Sequence, residues 1–485
     1  MPRSLTIRLA VFYTLSVAFL LLNSWLVVKK ETLVAGILPV VLAIILMAIY
    51  TPRRIFMLVV LLTPLSLPLT KLLPGLSFDM YLPTEPLLFG LLLLFLFRLA
   101  SGARIDKKIM THPVSLMIWI YLLWILITSV TSSMLLVSFK FLMVKIWFVC
   151  GIYLMGIYIF ENKSNYSRFV WLYTLPLLVV IGYTISRHMG YGLSDKQAAH
   201  FVMNPFYKDH TSYGAVLAMF IPFVMVLSFN SFSRPVHKWM ARLLLVILAV
   251  ALILSYTRAA WLSLVAALGV WILIRTKIRF KTIALTMISV LALVLVFQKQ
   301  IVMYLERNDK ESSADLVEHF SSMSNITSDA SNLERINRWS CAIRMFRERP
   351  VFGYGPGTYM FKYAPYQLNK DRTIISTNAG DRGNAHSEYL GPLAESGFAG
   401  MVTVLMLIIT VMYTAFMTYR RLREPRLKGY LSGAIIGLIT YYAHGLMNNF
   451  LDTDKASVPF WGFTAMIVAL DFYSRECEQG NGISF

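Results

Sequence analysis

A histidine at 386 and arginines at 258, 335 and 338 stand where apolar runs give way to polar sequence, and their types suit one kind of chemistry. An imidazole, whose ordinary pKa lies near neutrality, can take a proton from a hydroxyl group. A guanidinium is a rigid fork of donors that matches the oxygens of phosphate or pyrophosphate. His386 lies in NAHSEYLGPLAESGFAG (384–400), Arg258 in LSYTRAAW (254–261), and Arg335 and Arg338 in NLERINRWSCAIRMFRERP (332–350). The last stretch reads as an amphipathic helix with Asn332 as cap and Pro350 as stop. At about 100° per residue, Arg335, Arg338, Trp339, Ala342 and Phe346 share one face and Arg344 points away. The aromatic rings favour protein or membrane and would draw the two arginines in with them. Each residue also has a plainer reading: Arg258 as a snorkelling span cap, Arg335 and Arg338 as a solvated basic face, His386 as a hydrogen-bonded structural histidine. An arginine near hydrocarbon costs about 2.5–3.5 kcal/mol at mid-membrane and less at the edge, which favours an anion as the reason to keep it.

A histidine base is often oriented by a carboxylate. If residues 386–396 form one helix, Glu388 and Glu395 sit about 180–200° round from His386 and cannot serve it; Asp381 and Asp209 remain. FYKDHTSYGA (206–215) brings Lys208, Asp209 and His210 to the mouth of an apolar run, where Asp209 or Thr211 also serves as a helix cap. Lys140 and Lys145 lie on one span and suit headgroups or an anionic ligand equally. Glu85 begins a span as a cap or as a partner for an arginine, while Tyr389, His444 and Asn448–Asn449 are plausible cavity lining. Asp452 and Asp454 form an Asp-x-Asp, but the pattern is short and Lys455 partly neutralises it, so neither a metal nor another cofactor is expected. No pair among Cys150, Cys341 and Cys477 is placed to form a disulfide.

These residues must be positioned by membrane helices. The chain has 485 residues, 57% hydrophobic and 14% charged, far from the balance of a soluble domain. About fourteen stretches are apolar enough to cross a bilayer: 8–28, 32–50, 55–70, 82–97, 114–130, 143–160, 168–185, 211–230, 242–256, 259–274, 282–298, 398–418, 429–447 and 458–472. Alternate loops, among them TPRR (51–54), RLASGARIDKK (98–108), SRPVHKWMAR (233–242), RTKIRFK (275–281) and YRRLREPRLK (419–428), hold with the termini about half of the 45 Lys and Arg. The positive-inside rule makes them and both termini cytoplasmic. The net charge of +20 is then a topology signal rather than a sign of nucleic acid. The first apolar run lacks a small-x-small cleavage site and reads as a retained span. Two loops on the outer side are long, 186–210 and 299–397, and the second opens with a Ser-, Asn- and Asp-rich tract (306–332) that suits a flexible segment. The expected organisation is an N-terminal bundle of about eleven spans (1–298), a large outer loop with amphipathic helices (299–397), and C-terminal spans with a tail (398–485).

TRAAW at the outer end of a span, then Arg335-x-x-x-Trp339, PVFGYGPG (350–357), AHSEYL (385–390) and ESGFAG (395–400), in this order over about 150 residues, resemble the O-antigen ligase and O-antigen polymerase superfamily of bacterial membrane glycosyltransferases. The resemblance implies an all-α polytopic membrane protein, a GT-C-like bundle of about 12–14 transmembrane helices with one large periplasmic loop. It implies transfer of a glycan from undecaprenyl pyrophosphate at the periplasmic face of the inner membrane, without a metal and with inversion at the anomeric carbon. The family's loop histidine falls on His386, its span-end arginine on Arg258 and its loop arginine on Arg335. In ligases the acceptor is the lipid A–core of lipopolysaccharide, in polymerases another lipid-linked glycan; protein O-oligosaccharyltransferases share the same parts. About fourteen spans slightly exceed the dozen usual for ligases, Asn384-Ala385 stands where His or Asn often precedes the histidine, and the first six spans match no family motif. A reading of another class, a transporter or flippase for lipid-linked glycans, predicts charges along a cavity inside the bundle instead of one outer loop.

Overall fold

A computed structural model describes residues 50–72, 80–102, 105–229, 235–275, 330–368 and 383–478, together with single or short groups of residues between 13 and 47 and residues 282, 285 and 289. The expected span at 282–298 lies almost entirely outside the described residues, as do Asp381 and the tract 306–329. Backbone contacts divide the chain into two compact units, Met1–Leu58 and Val59–Phe485. The described residues of the first are mostly helical.

The protein is an all-α, multi-pass membrane protein. The helices used below are α1 (Pro52–Leu62), α2 (Thr84–Ala100), α3 (Pro113–Val130), α4 (Leu135–Phe160), α5 (Ser164–Tyr191), α6 (His210–Phe229), α7 (Pro235–Leu254), α8 (Arg258–Arg275), α9 (Ala330–Glu348), α10 (Leu390–Arg421), α11 (Pro425–His444) and α12 (Asp454–Glu478). Among the described residues, seven helices (α3, α4, α5, α6, α7, α10 and α12) are long and apolar enough to cross a bilayer. The only strands described are Leu67–Pro68 and Tyr81–Leu82, paired antiparallel.

Several boundaries differ from the sequence reading, each for a local reason. The stretch 55–70 is helical only to Leu62, because Thr63-Pro64-Leu65 tightens into a 3-10 turn and Pro64 has no N–H to continue the ladder. The sixth span begins at Leu135 instead of 143, and a π turn at Val149–Leu154 carries it through Gly151. Gly397 ends one helical piece, and a second follows it within α10. With φ 70 and ψ −169 it kinks α10, which resumes at once because the Phe398 N–H finds the Pro350 carbonyl at 2.9 Å.

α12 and α6 are buried along most of their length and form the centre, while α3 and α7 leave apolar stripes exposed to lipid. α6 and α11 approach closely because Gly429, Gly433 and Gly437 recur every fourth residue on one face of α11. A methyl at Gly433 would lie 2.9 Å from Phe223, and one at Gly437 would lie 2.6 Å from the Met219 carbonyl. Small residues at this spacing let membrane helices gain dispersion contact that larger side chains would forbid. At one end of the bundle the buried Asp471 joins three helices: it accepts from Thr418 at 2.6 Å, pairs with Arg421 and with Arg475 at 2.6 Å, and meets His112 at 3.3 Å. The opposite end carries the residues with chemical potential.

Candidate active site

α9 has the expected amphipathic character, and its inward face organises the site. Cys341, Ala342 and Met345 are fully buried, packed with Tyr354, Tyr359, Tyr363, Ala385 and Ala394 in one cluster. Glu334 and Arg338, one turn apart, pair through Nε at 2.5 Å, both buried. The Arg338 guanidinium also lies 3.9 Å from the Tyr363 ring centre, and its backbone carbonyl accepts from the Tyr359 hydroxyl at 2.7 Å. Among the described residues its Nη1 has no hydrogen-bond partner, and a methyl at Gly383 would lie 1.9 Å from that nitrogen. Arg338 is therefore a locked cation. Arg344, on the other side, donates to the Tyr366 carbonyl.

His386 does not lie on a helix. It precedes α10 by four residues, and its φ of 48° places it in the left-handed region that bulky residues avoid. Three contacts hold the loop there. The His386 N–H donates to Asn384 Oδ1 at 3.1 Å, its carbonyl accepts from Trp339 Nε1 at 3.2 Å, and the following Glu388 N–H donates to the Gly445 carbonyl at 2.8 Å. The aromatic of the arginine helix thus fixes the histidine's backbone. Burial, followed by the charges of Arg335 and Arg338, lowers the His386 pKa to about 4, against the opposing pull of Asp209 and Glu334. The ring is neutral at ordinary pH and able to accept a proton.

Asp209 reaches the same place from the start of α6. It caps that helix, accepting from the Ser212 N–H at 2.8 Å and the Thr211 hydroxyl at 2.7 Å. Burial acts to raise its pKa, but these donors and the neighbouring His210 and Lys208 hold it below the usual carboxylate value. His210 stands ring to ring with His200, 4.0 Å between centres, and its carbonyl accepts from Thr257 Oγ1 at 2.8 Å. Thr257 precedes Arg258, which begins α8 and is exposed. The charges acting on His444, the last residue of α11, are those of Arg335, Asp209 and His210; its Nε2 meets Asn448 Nδ2 at 3.2 Å. The structure therefore gathers Arg335, Arg338, His386, Asp209, His210 and His444, with Arg258 at the rim one residue from Thr257.

Other sequence candidates lie elsewhere. Lys145 donates to the Leu451 carbonyl at 2.8 Å and to Asp452 at 2.9 Å. Asp454 instead accepts from Ser66 Oγ at 2.5 Å, so the Asp-x-Asp pair divides between two partners. Lys140 is exposed on α4. Glu85, in the first turn of α2, accepts from the Tyr81 N–H at 3.1 Å, and its charge acts on Lys455. The Tyr389 hydroxyl donates to the Tyr442 carbonyl at 2.8 Å and braces α11.

Two glutamates unassigned by the sequence hold the loop in place. Glu388 Oε1 accepts from the Tyr441 hydroxyl at 2.5 Å and from the Phe450 and Leu451 N–H groups at 2.8 and 3.0 Å. Burial, with Asp452 nearby, raises its pKa. Glu395 accepts from the Tyr359 N–H at 2.9 Å, and its carbonyl accepts from the Gly355 N–H at 2.7 Å. The 353–359 turn is thereby clamped to α10. The kink at Gly397 is part of this clamp, because a methyl there would lie 2.1 Å from the Val351 carbonyl. Gly397→Ala is expected to destabilise the protein by about 2 kcal/mol or more, combining left-handed backbone strain with overpacking. A lowered melting temperature in detergent, with early proteolysis at the 350–359 turn, is the check.

Residues 243–405 match the family model described as O-antigen ligase, in agreement with the resemblance carried by the sequence motifs. The matched stretch includes Arg258, Arg335, Arg338 and His386. No curated protein matches the sequence.

Proposed function

We propose that this chain is a membrane glycosyltransferase that moves a glycan from undecaprenyl pyrophosphate to an acceptor hydroxyl on the periplasmic face of the bacterial inner membrane. In this reading it is an O-antigen ligase, with the lipid A–core as acceptor. The family match supports the class of enzyme. The observation that carries the mechanism is the hydrogen bond from Trp339 Nε1 to the His386 carbonyl, which ties the arginine helix to the histidine, with Arg335 and Asp209 near enough for their charges to act on the His386 ring.

Arg335, with Arg258 at the rim, binds the diphosphate, and Arg338, fixed by Glu334 and Tyr363, adds positive potential behind it. The anion offsets the cationic field that keeps the imidazole neutral, so His386 becomes a better proton acceptor once the donor is bound. The acceptor hydroxyl gives its proton to His386 as its oxygen attacks the anomeric carbon from the face opposite the diphosphate. The sugar–diphosphate bond breaks with inversion, and the departing charge stays on the arginines, which are preorganised for it. Asp209 supplies the carboxylate that steadies the resulting imidazolium.

The test uses purified full-length protein in detergent with an undecaprenyl-pyrophosphate-linked glycan and lipid A–core. Ligated product is expected. Because detergent removes the second compartment, a transporter yields none, and absence of product from folded protein would overturn the enzymatic reading.

A further inference from the structure

The loop between α11 and α12 (445–453) is tied to the histidine's own loop at several points. The Glu388 N–H donates to the Gly445 carbonyl at 2.8 Å, and its carboxylate accepts from the Phe450 and Leu451 N–H groups. Asn384 spans the two loops between these anchors: its Oδ1 accepts from the His386 N–H at 3.1 Å, and its Nδ2 donates to the Asn449 carbonyl at 3.4 Å. One side-chain amide therefore holds the backbones of residues 386 and 449 side by side.

Other amides near the site are engaged by the protein. Asn448 is buried and its Nδ2 meets His444 Nε2 at 3.2 Å, while Asn337 on α9 donates to Gln367 Oε1 at 3.0 Å. Asn449 differs. Its Oδ1 is shielded from solvent and has no hydrogen-bond partner among the described residues, although the residue as a whole is partly exposed, as are Asn384 and His386. A desolvated amide oxygen without a donor costs stability and calls for a reason. Shaping the loop is not that reason, because Glu388 already fixes the backbone at 450 and 451. An amide offers one acceptor and two donors, and rotation about its Cβ–Cγ bond exchanges the two ends within a broad torsional range. That inventory suits a sugar hydroxyl, which gives and accepts, better than a diphosphate, which only accepts.

We propose that Asn449 is a specificity-determining residue for the acceptor: its amide holds the sugar hydroxyl next to the one that His386 deprotonates, and so selects which hydroxyl attacks. The inference rests on the proposed function and deepens it. An imidazole alone takes a proton from whichever hydroxyl reaches it; a second contact, to the adjacent hydroxyl, fixes the position.

The test uses full-length protein in detergent with the undecaprenyl-pyrophosphate-linked glycan and two acceptors: lipid A–core, and the same core with hydrogen in place of the hydroxyl next to the acceptor position. Asn449→Ala is expected to raise the acceptor KM about tenfold, the worth of one hydrogen bond, and to leave the donor KM unchanged. Its product should carry glycan at more than one acceptor hydroxyl by methylation analysis, where wild type gives one linkage. The deoxy acceptor should cost wild type about tenfold and the variant nothing further, since both changes remove the same bond. The melting temperature should equal that of wild type, because the side chain gives up no hydrogen bond to the protein. Should it fall, Asn449→Leu, which keeps the shape and removes the polarity, takes the place of the alanine variant. An unchanged acceptor KM with a single linkage in the folded variant overturns the proposal, and so does a rise in the donor KM alone. Absence of product from wild type would overturn the proposed function and this inference with it, whereas an unaltered variant beside an active wild type overturns this inference only.

Discussion

His386→Asn is expected to reduce glycan transfer about a thousandfold while leaving the melting temperature within a degree or two of wild type. The rate loss follows from general-base catalysis, which contributes about 10²–10⁴ where a positioned side chain takes the proton. The unchanged stability follows from how residue 386 is held. Its fixed contacts are made by backbone atoms, to Asn384 Oδ1 and from Trp339 Nε1, and its φ of 48° suits asparagine better than other non-glycine residues. Alanine would remove the imidazole equally but would sit less comfortably in that conformation, so the asparagine variant separates chemistry from folding. The measurement is initial rate from the lipid-linked donor at matched folded protein. Turnover near wild type in a properly folded His386→Asn enzyme would remove His386 from the reaction.

The same residue shows where sequence reasoning stops. An imidazole beside arginines near an apolar boundary is legible because residue type and position suffice, and α9 is legible because its period and Pro350 are local signals. The orientation of His386 is not, since it depends on a left-handed residue and a helix that begins only at Leu390. Once 386–389 is a loop, the angular argument that set aside Glu388 and Glu395 no longer applies. The structure nevertheless engages both elsewhere, Glu388 with the 450–451 backbone and Glu395 with the 353–359 turn. Asp209 is visible as a helix cap, but its closeness to His386 depends on the packing of α6 against α11 and α8. Lys145 and Asp452 stand 307 residues apart, and no local pattern could join them. The apolar runs reveal membrane helices readily. They place the ends poorly, because hydropathy does not register the proline at 64 or the carbonyl of Pro350 that restarts α10.

Arg335→Gln is expected to change the pH profile as well as the rate, and the pair of effects tests the electrostatic design. If Arg335 holds the leaving diphosphate as proposed, its removal should cost about 10²–10³ in turnover, as for other preorganised charge-stabilising donors. In the free enzyme the His386 pKa is pressed to about 4 by burial first and then by Arg335 and Arg338. Protonation of His386 as pH falls through that value removes the base, so kcat/KM for wild type should hold level down to about pH 5 and decline only below it. A nearby cation disfavours the imidazolium, so its loss raises the pKa, and the acid limb of Arg335→Gln should move upward toward the ordinary histidine range. Arg335→Lys keeps the charge but not the fork: its acid limb should stay low although its rate falls. In wild type the kcat limb should lie above the kcat/KM limb, because a bound diphosphate cancels the field that Arg335 exerts on the ring. An acid limb identical in wild type, Arg335→Gln and Arg335→Lys would mean that this guanidinium does not govern the imidazole, and the coupling between donor binding and base activation would have to be abandoned.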